Sequence, residues 1–472
     1  VPELVEKWET PGDGTQIILH TRKGVNWHNK PPSNGRAFVA DDLAFNINRI
    51  TGKLNPDKAA VFQRRSTLPN LDNATATDES TVVVKLTAPH SGFMNGLADF
   101  RNNIAPRDFI EKALDDFKDA TKLVGTGPWT IESWDISRGA TFKPVPNWDT
   151  GKPYLDAIEM KTYADRLASQ ASFAKGELDA FGNPNKVERD GLKKLTDNYR
   201  EEKWVNNVWA HFRFNLTKAP FSDERVRRAV FMAIDYKTLM DEFNGAGYWE
   251  WSGPLTGFVE AIQPADVAKT AGYNPATKDA DRKAAADLLN AAGFPKGAGL
   301  SFKFLPASPT VSSRVYDSAI RAQDDLKKVF PDIKVEIDPP ADAVVFSQRQ
   351  VQGNFDVISY SIGGYPDAVM EMEAHYGSKG SRNYGKYNDA DTDTAIAKAT
   401  AELDMNKRKQ ILLDAQKRLI DKMPMVRYAS SNTNSTVWYG KQVKGAENYG
   451  LVTGTGSYDT AFNYKNVWLD KS

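Results

Sequence analysis

Between Phe214 and Asp235 the chain passes from a strand end through a proline turn into a helix, and this junction constrains the fold more than any other stretch. Phe214-Asn215-Leu216 ends the strand, Ala219-Pro220-Phe221 turns the chain, and Glu224-Arg225-Val226-Arg227-Arg228-Ala229 opens the helix. Ser222 or Asp223 caps that helix, because a short side-chain oxygen accepts from the unpaired amides of the first turn. The same alternation of strand and helix recurs along the chain. Gln16–Thr21 follows an Asp13-Gly14 turn as a strand, and 39–49 is an amphipathic helix whose Leu43, Ile47 and Ile50 share one face. Thr81–Leu86 reads as a strand, Gly125-Thr126-Gly127-Pro128 as a turn into another, and 154–161 alternates as a strand does. Residues 355–360 read as a buried strand, and 395–422 as a long amphipathic helical region ended by Met423-Pro424-Met425-Val426. Strands alternating with helices predict an α/β protein with mixed sheets.

A length of 472 residues predicts two or three domains. The 61 basic and 61 acidic residues balance, so no global field recruits nucleic acid or an acidic membrane. No run of about 18 apolar residues is present to span a bilayer. The chain has no cysteine, which excludes disulfides, thiol catalysis and thiolate metal sites. G-x-S-x-G, Walker and H-E-x-x-H patterns are absent as well. The five histidines show no metal-ligand spacing, although His375 beside Glu371 and Glu373 leaves a divalent ion as a minor reading. Carboxylate pairs such as Asp41-Asp42 read as solvated, and the expectation is no cofactor and no catalysis. Two alternatives stay open: a carbohydrate- or peptide-cleaving hydrolase, which needs two carboxyls facing across a cleft, and a chaperone-like peptide-binding protein.

The 214–235 segment resembles one found in the family 5 extracellular solute-binding proteins, the dipeptide, oligopeptide and nickel receptors of ABC importers. Other segments resemble the same family in the same order. They are Pro2–Trp8, the strand and turn from Gln16 to His28, the helix at 40–49, Gly125–Trp129, Asn147-Trp148, 165–180, 284–294 and Arg382-Asn383-Tyr384. The His28-Asn29-Lys30 turn departs from the family's His-Asp-Gly. The resemblance runs from Pro2 to about Tyr449.

It implies a two-lobed periplasmic-binding-protein fold (class II, cluster C type) with an accessory domain. Residues 1–122 would form the accessory domain, 123–220 plus 441–472 the first ligand-binding lobe, and 221–440 the second. The first strands of the fold and any leader would precede Val1. The chain would cross between lobes near Asn215 and again within 429–444, where few backbone angles need change for closure. The implied function is capture of a small organic solute (peptide-like, sugar or opine-like) between the lobes and delivery to a permease driven by ATPases. The expected location is periplasmic or extracytoplasmic, with a possible lipid anchor, and the expected state is a monomer.

The resemblance also nominates site residues. The loop Ser361-Ile362-Gly363-Gly364-Tyr365-Pro366-Asp367 would line the cleft. An Asp in the family pairs there with a ligand ammonium, but Gly364 holds that position, and Asp367 is the candidate substitute. Tyr248, Trp249 and Trp251 offer flat aromatic faces to a ligand, or pack on the neighbouring helix. Trp209, His211, Arg213 and Asn215 share one strand face, where His211 and Arg213 serve a ligand or a structural network. Arg382 suits a ligand carboxylate, or a pairing that holds its own loop. Gly364 and the two indoles shift the expected solute from a standard peptide toward a sugar, an opine-like compound, a modified peptide or another amphiphile.

Overall fold

The computed structural model describes residues 4–54, 65–99, 101–113, 119–148, 151–163, 165–182, 185–204, 208–429, 435–446 and 464–470. Pro2 and Glu3, the middle of the expected second crossing (430–434) and much of the C-terminal stretch (447–463) lie outside the described residues. The chain divides into two compact units, Val1–Lys203 with Thr436–Ser472, and Trp204–Ser435.

The first unit opens with an antiparallel four-stranded sheet in the spatial order Val5–Glu9, Gln16–Thr21, Thr81–Leu86, Leu71–Ala76. Alternation places Ile17, Leu19, Val82 and Val84 on its buried face. The helix Ala40–Ile50 covers that face with Leu43, Ile47 and Ile50, the stripe expected from its spacing. Asp42 in its first turn takes both the Trp27 indole N–H (3.0 Å) and a bidentate Arg36 pair (2.8 Å each).

Two further three-stranded sheets follow, the first antiparallel throughout and the second with Ser435–Gly440 antiparallel to Ala180–Gly182. One has the order Trp129–Asp135, Gly139–Pro144, Ile158–Lys161, and the other Ala180–Gly182, Ser435–Gly440, Tyr199–Trp204. The strand expected from 154 begins only at Ile158. The His28-Asn29-Lys30 turn has a visible task here. His28 Nδ1 accepts from the Gly125 amide (3.2 Å), which leaves Nε2–H to donate to the Gly127 carbonyl (2.8 Å). Lys30 donates to the carbonyls of Thr121 (2.9 Å) and Ile131 (2.8 Å). These bonds hold the glycine turn at the entrance to the second sheet.

The second unit is built on one mixed sheet in the order Lys334–Ile337, Ser301–Pro306, Val357–Gly363, Val208–Phe214, Met425–Ala429. The first three strands run parallel, while Val208–Phe214 is antiparallel to both neighbours. A boundary at 220/221 would have put this strand in the preceding unit. It falls in the second because it pairs on both edges with strands of that unit. Ala210, Phe212 and Phe214 face the largest apolar core, packed under the helices Glu224–Ala233 and Lys278–Ala291.

The cap left open between two residues is Asp223, whose carboxylate accepts from the Arg225 amide at 2.9 Å. The helical region expected over 395–422 is made of two helices, Ala390–Ala401 and Met405–Lys422. Glu402 turns extended, and the Asp404 carboxylate accepts from the Asn406 and Lys407 amides (2.9 and 3.0 Å) to start the second. That helix ends at Met423, a non-glycine residue at φ 48°.

The end of that helix is gripped from the motif that opened the sequence reading. The buried Arg227 donates to Met423 O (3.0 Å), Lys422 O (2.8 Å), Phe221 O (2.8 Å) and Ser222 O (3.2 Å). One guanidinium therefore satisfies carbonyls at the end of one helix and in the turn before another. Replacing it with Met leaves those carbonyls unpaired. We expect Arg227→Met to lower unfolding stability by about 2–4 kcal/mol in a urea titration. A change under about 0.5 kcal/mol would show that the clamp contributes nothing.

Candidate functional site

The strand Val208–Phe214 has a second face, where Trp209, His211 and Arg213 replace the apolar residues. All three are at least 97% buried. The helix Ala368–Tyr376 crosses this face and contributes Glu371 and His375, one turn apart. Glu371 is fully buried. Its Oε1 accepts from the Trp209 indole N–H (2.8 Å) and from Arg427 Nη1 (3.1 Å), and its Oε2 from the Tyr365 amide (2.9 Å). The Arg427 guanidinium also lies 3.5 Å from the Trp209 ring centroid and donates to the Pro254 carbonyl.

Arg213 donates Nη2–H to His375 Nδ1 (2.9 Å) and Nη1–H to the Arg382 carbonyl. Accepting at Nδ1 fixes His375 as the neutral Nε2–H tautomer. Burial, then the charges of Arg213 and its neighbours, pushes the His375 pKa well below its ordinary value. His211 is shifted the same way for the same causes, burial first. It lies between the rings of Trp209 (4.8 Å) and Tyr360 (6.3 Å).

At the other end of the same helix Asp367 is its N-cap, accepting from the Val369 amide at 2.9 Å. Asp367 and Glu260 both contact Arg408, and all three are at least 97% buried. Around this helix, then, Arg213, Arg408 and Arg427 stand against Glu260, Asp367 and Glu371. Equal numbers of buried cations and anions make the arrangement tolerable in a low-dielectric interior.

The nominated loop leaves the end of Val357–Gly363. Gly363 and Gly364 are half-buried, and Tyr365 is buried. Arg382 is half-buried, with its Nη1 donating to Gly363 O (3.0 Å) and its guanidinium 4.7 Å from the Tyr365 ring centroid. No carboxylate lies within ion-pair distance of Arg382 among the described residues. The same holds for Arg314, half-buried on the helix Pro309–Val329, whose pKa burial pushes down.

The structure separates the remaining nominated residues. Trp249 donates its indole N–H to Asp241 (2.8 Å) and meets Trp251 edge-on at 4.8 Å, and Trp251 meets Tyr273 at 5.7 Å. Both indoles pack against the large apolar core. Tyr248 is half-buried, its amide bonded to Gly245 O. The loop residues Gly363, Gly364 and Tyr365 come together with Arg382, while Trp209, His211 and Asp367 are committed to the network beneath.

Sequence reasoning missed Arg427, Arg408 and Glu260 as partners and read Glu371 only as a solvated or metal-ligating carboxylate. The one available signal was a lone arginine inside the apolar strand Met425–Ala429. His375 Nε2 is 3.9 Å from Glu371. Among the described residues no three His, Asp or Glu side chains are grouped to hold a metal.

Two predictions follow from the buried groups. Glu371→Gln keeps the shape but leaves Arg427 without a counter-charge, and should cost about 3–5 kcal/mol in chemical denaturation; a loss below about 1 kcal/mol would contradict the network. His28 is shifted down chiefly by burial, like His211 and His375. With folded values below the ordinary 6.5, the unfolded chain protonates first. Stability is therefore complete above about pH 6.5 and falls as the pH drops below it. A urea midpoint that is lower at pH 5 than at pH 7.5 is expected; an unchanged or higher one would contradict it.

The chain matches the family model "Bacterial extracellular solute-binding proteins, family 5 Middle" over residues 1–383. It is 26% identical over 462 residues to the dipeptide-binding protein of Escherichia coli strain K12, covering 94% of this chain and 83% of that protein. It is 24% identical over 451 residues to heme-binding protein A of Haemophilus influenzae, covering 91% and 79%. Among solved structures it resembles the periplasmic binding protein DppA of Helicobacter pylori in complex with the peptide STSA. The TM-score is 0.79 at 22% identity, over 100% of this chain and 89% of that one.

Proposed function

The chain belongs to family 5 of the bacterial extracellular solute-binding proteins, and from that membership we propose that it is the solute-capturing receptor of a bacterial ABC importer. The match over residues 1–383, in the order of the motifs, carries this reading. The related E. coli protein is named for dipeptides and the H. pylori structure holds a tetrapeptide, which supports a peptide-like solute. The haem-binding relative supports a family scaffold that accepts other organic molecules too.

The partners in this reading are a membrane permease and its ATPases, where the ATP is hydrolysed. The receptor works as a monomer on the outer side of the membrane, free or held by a lipid. Among the described residues no helix is long and apolar enough to cross a membrane itself.

Capture without turnover also suits the carboxylates near the nominated loop. Glycoside hydrolysis needs two carboxyls flanking the bond to be cut. Asp367, Glu371 and Glu260 are instead buried against Arg408, Arg427 and Trp209.

Native mass spectrometry of gently purified protein should reveal a co-purifying small molecule at one per chain. Titration calorimetry with that molecule should give a micromolar or tighter dissociation constant, about 8 kcal/mol or more of binding free energy. Conversion of the bound molecule to product without a partner, or no binding across peptide, sugar and opine-like panels, would reject the receptor reading.

A further inference from the structure

The loop Gly363-Gly364-Tyr365 is held at two points, and both lead to one histidine. The Tyr365 amide donates to Glu371 Oε2 at 2.9 Å. Arg382, whose Nη1 donates to Gly363 O at 3.0 Å, has its own carbonyl held by Arg213 Nη1. Arg213 in turn gives its Nη2–H to His375 Nδ1 at 2.9 Å, and His375 Nε2 lies 3.9 Å from Glu371 Oε2.

His375 is buried one turn after Glu371 on the helix Ala368–Tyr376. The groups that face it are Arg213 and His211 of the strand Val208–Phe214, Arg427 of Met425–Ala429, Arg382 after the helix, Tyr365 of the loop, and Glu371. Guanidiniums therefore outnumber carboxylates around the ring. Its Nε2 is buried with no hydrogen-bond partner among the described residues. The ring is neutral, with the lone pair at Nδ1 that the Arg213 bond requires.

A proton on Nδ1 changes this in two ways. It sets an N–H against the Arg213 N–H, so that bond is lost and two cations repel each other. It also makes Nε2–H a charged donor, and the nearby carboxylate oxygen is the one that holds the Tyr365 amide. Arg213, Arg408 and Arg427 already balance Glu260, Asp367 and Glu371, so no further anion compensates a buried imidazolium. The closed arrangement excludes the proton, and an opened loop that lets water reach the ring accepts it.

We propose that His375 is the sensor of an acid-sensitive latch on the solute site: on taking up a proton it lets go of Arg213, competes for Glu371 and frees the loop Gly363-Gly364-Tyr365. What the loop holds rests on the receptor reading; the latch itself rests on these contacts alone. The latch is fully closed above the ordinary histidine value of 6.5 and opens as the pH falls below it.

The Tyr365 and Arg382 amides report the latch, because they are bonded to Glu371 and to Ala374 O, each at 2.9 Å. Their hydrogen exchange, corrected for the intrinsic rate at each pH, should speed up about 10–30-fold between pH 7 and pH 5, the gain from one proton taken up below about 6.5. In His375→Gln, whose side-chain oxygen accepts from Arg213 and does not titrate, exchange should be the same at both pH values. Mixed dipeptides with free termini, used as calorimetric probes, should bind the wild type at least about threefold more weakly at pH 5 than at pH 7, and His375→Gln equally at both. If His375→Gln does not fold, nitrogen NMR of the wild-type histidines gives the same answer: the His375 ring must titrate where the Tyr365 amide loses protection.

Exchange that ignores pH in the wild type, or a response that persists in His375→Gln, would overturn the inference. So would an equal loss of protection at Phe212, paired on both sides in the middle of the sheet, because that marks global unfolding. Dipeptides held equally at both pH values by the wild type would overturn it too, since a freed loop would still grip its solute. Failure of every dipeptide to bind counts against the receptor reading, while the exchange measurement still decides the latch by itself.

Discussion

The second unit is organised around one buried carboxylate. Glu371 lies beneath the mixed sheet with no solvent contact, and it simultaneously receives an indole N–H, a guanidinium and the amide of the loop residue Tyr365. A bare charge there would be prohibitively unfavourable, so each of these bonds is required for the others to persist. The consequence is positional. The sheet strand that carries Trp209, the edge strand that carries Arg427 and the loop that carries Gly364 are all tied to one side chain.

The strand Val208–Phe214 makes this possible because its two faces do different things. Ala210, Phe212 and Phe214 sit in an apolar core that supplies burial energy without direction. Trp209, His211 and Arg213 sit among directional groups, where geometry rather than area decides the fit. A strand with both edges paired and both faces covered is a rigid support. The loop leaving its neighbour Val357–Gly363 inherits that rigidity, and the Arg382 guanidinium is tied to it through the Gly363 carbonyl.

Arg227 shows the same economy at the edge of the unit. The motif that is most distinctive in the sequence turns out to be a clamp on four backbone carbonyls. Its distinctiveness reflects a structural demand: only a forked, permanently charged donor can reach two turns of chain at once. His28 and Lys30 do similar work in the first unit, holding the glycine turn at Gly125–Gly127 through backbone contacts.

Local physics made much of this legible in the chain itself. The apolar stripe of Ala40–Ile50, the strand at Thr81–Leu86, the cap near Asp223 and the α/β layering all follow from spacing and short-range hydrogen bonding, which neighbours in sequence determine. The family resemblance could likewise be read from the order of motifs. Tertiary pairing decided the rest. Whether Val208–Phe214 belongs before or after the unit boundary depends on which distant strands bond to its edges, and whether Asp367 is available to a ligand depends on Arg408, 41 residues away. Charge compensation is long-range and blind to sequence distance, so the sequence supplied the candidate ions but only the folded arrangement determined which of them are already paired.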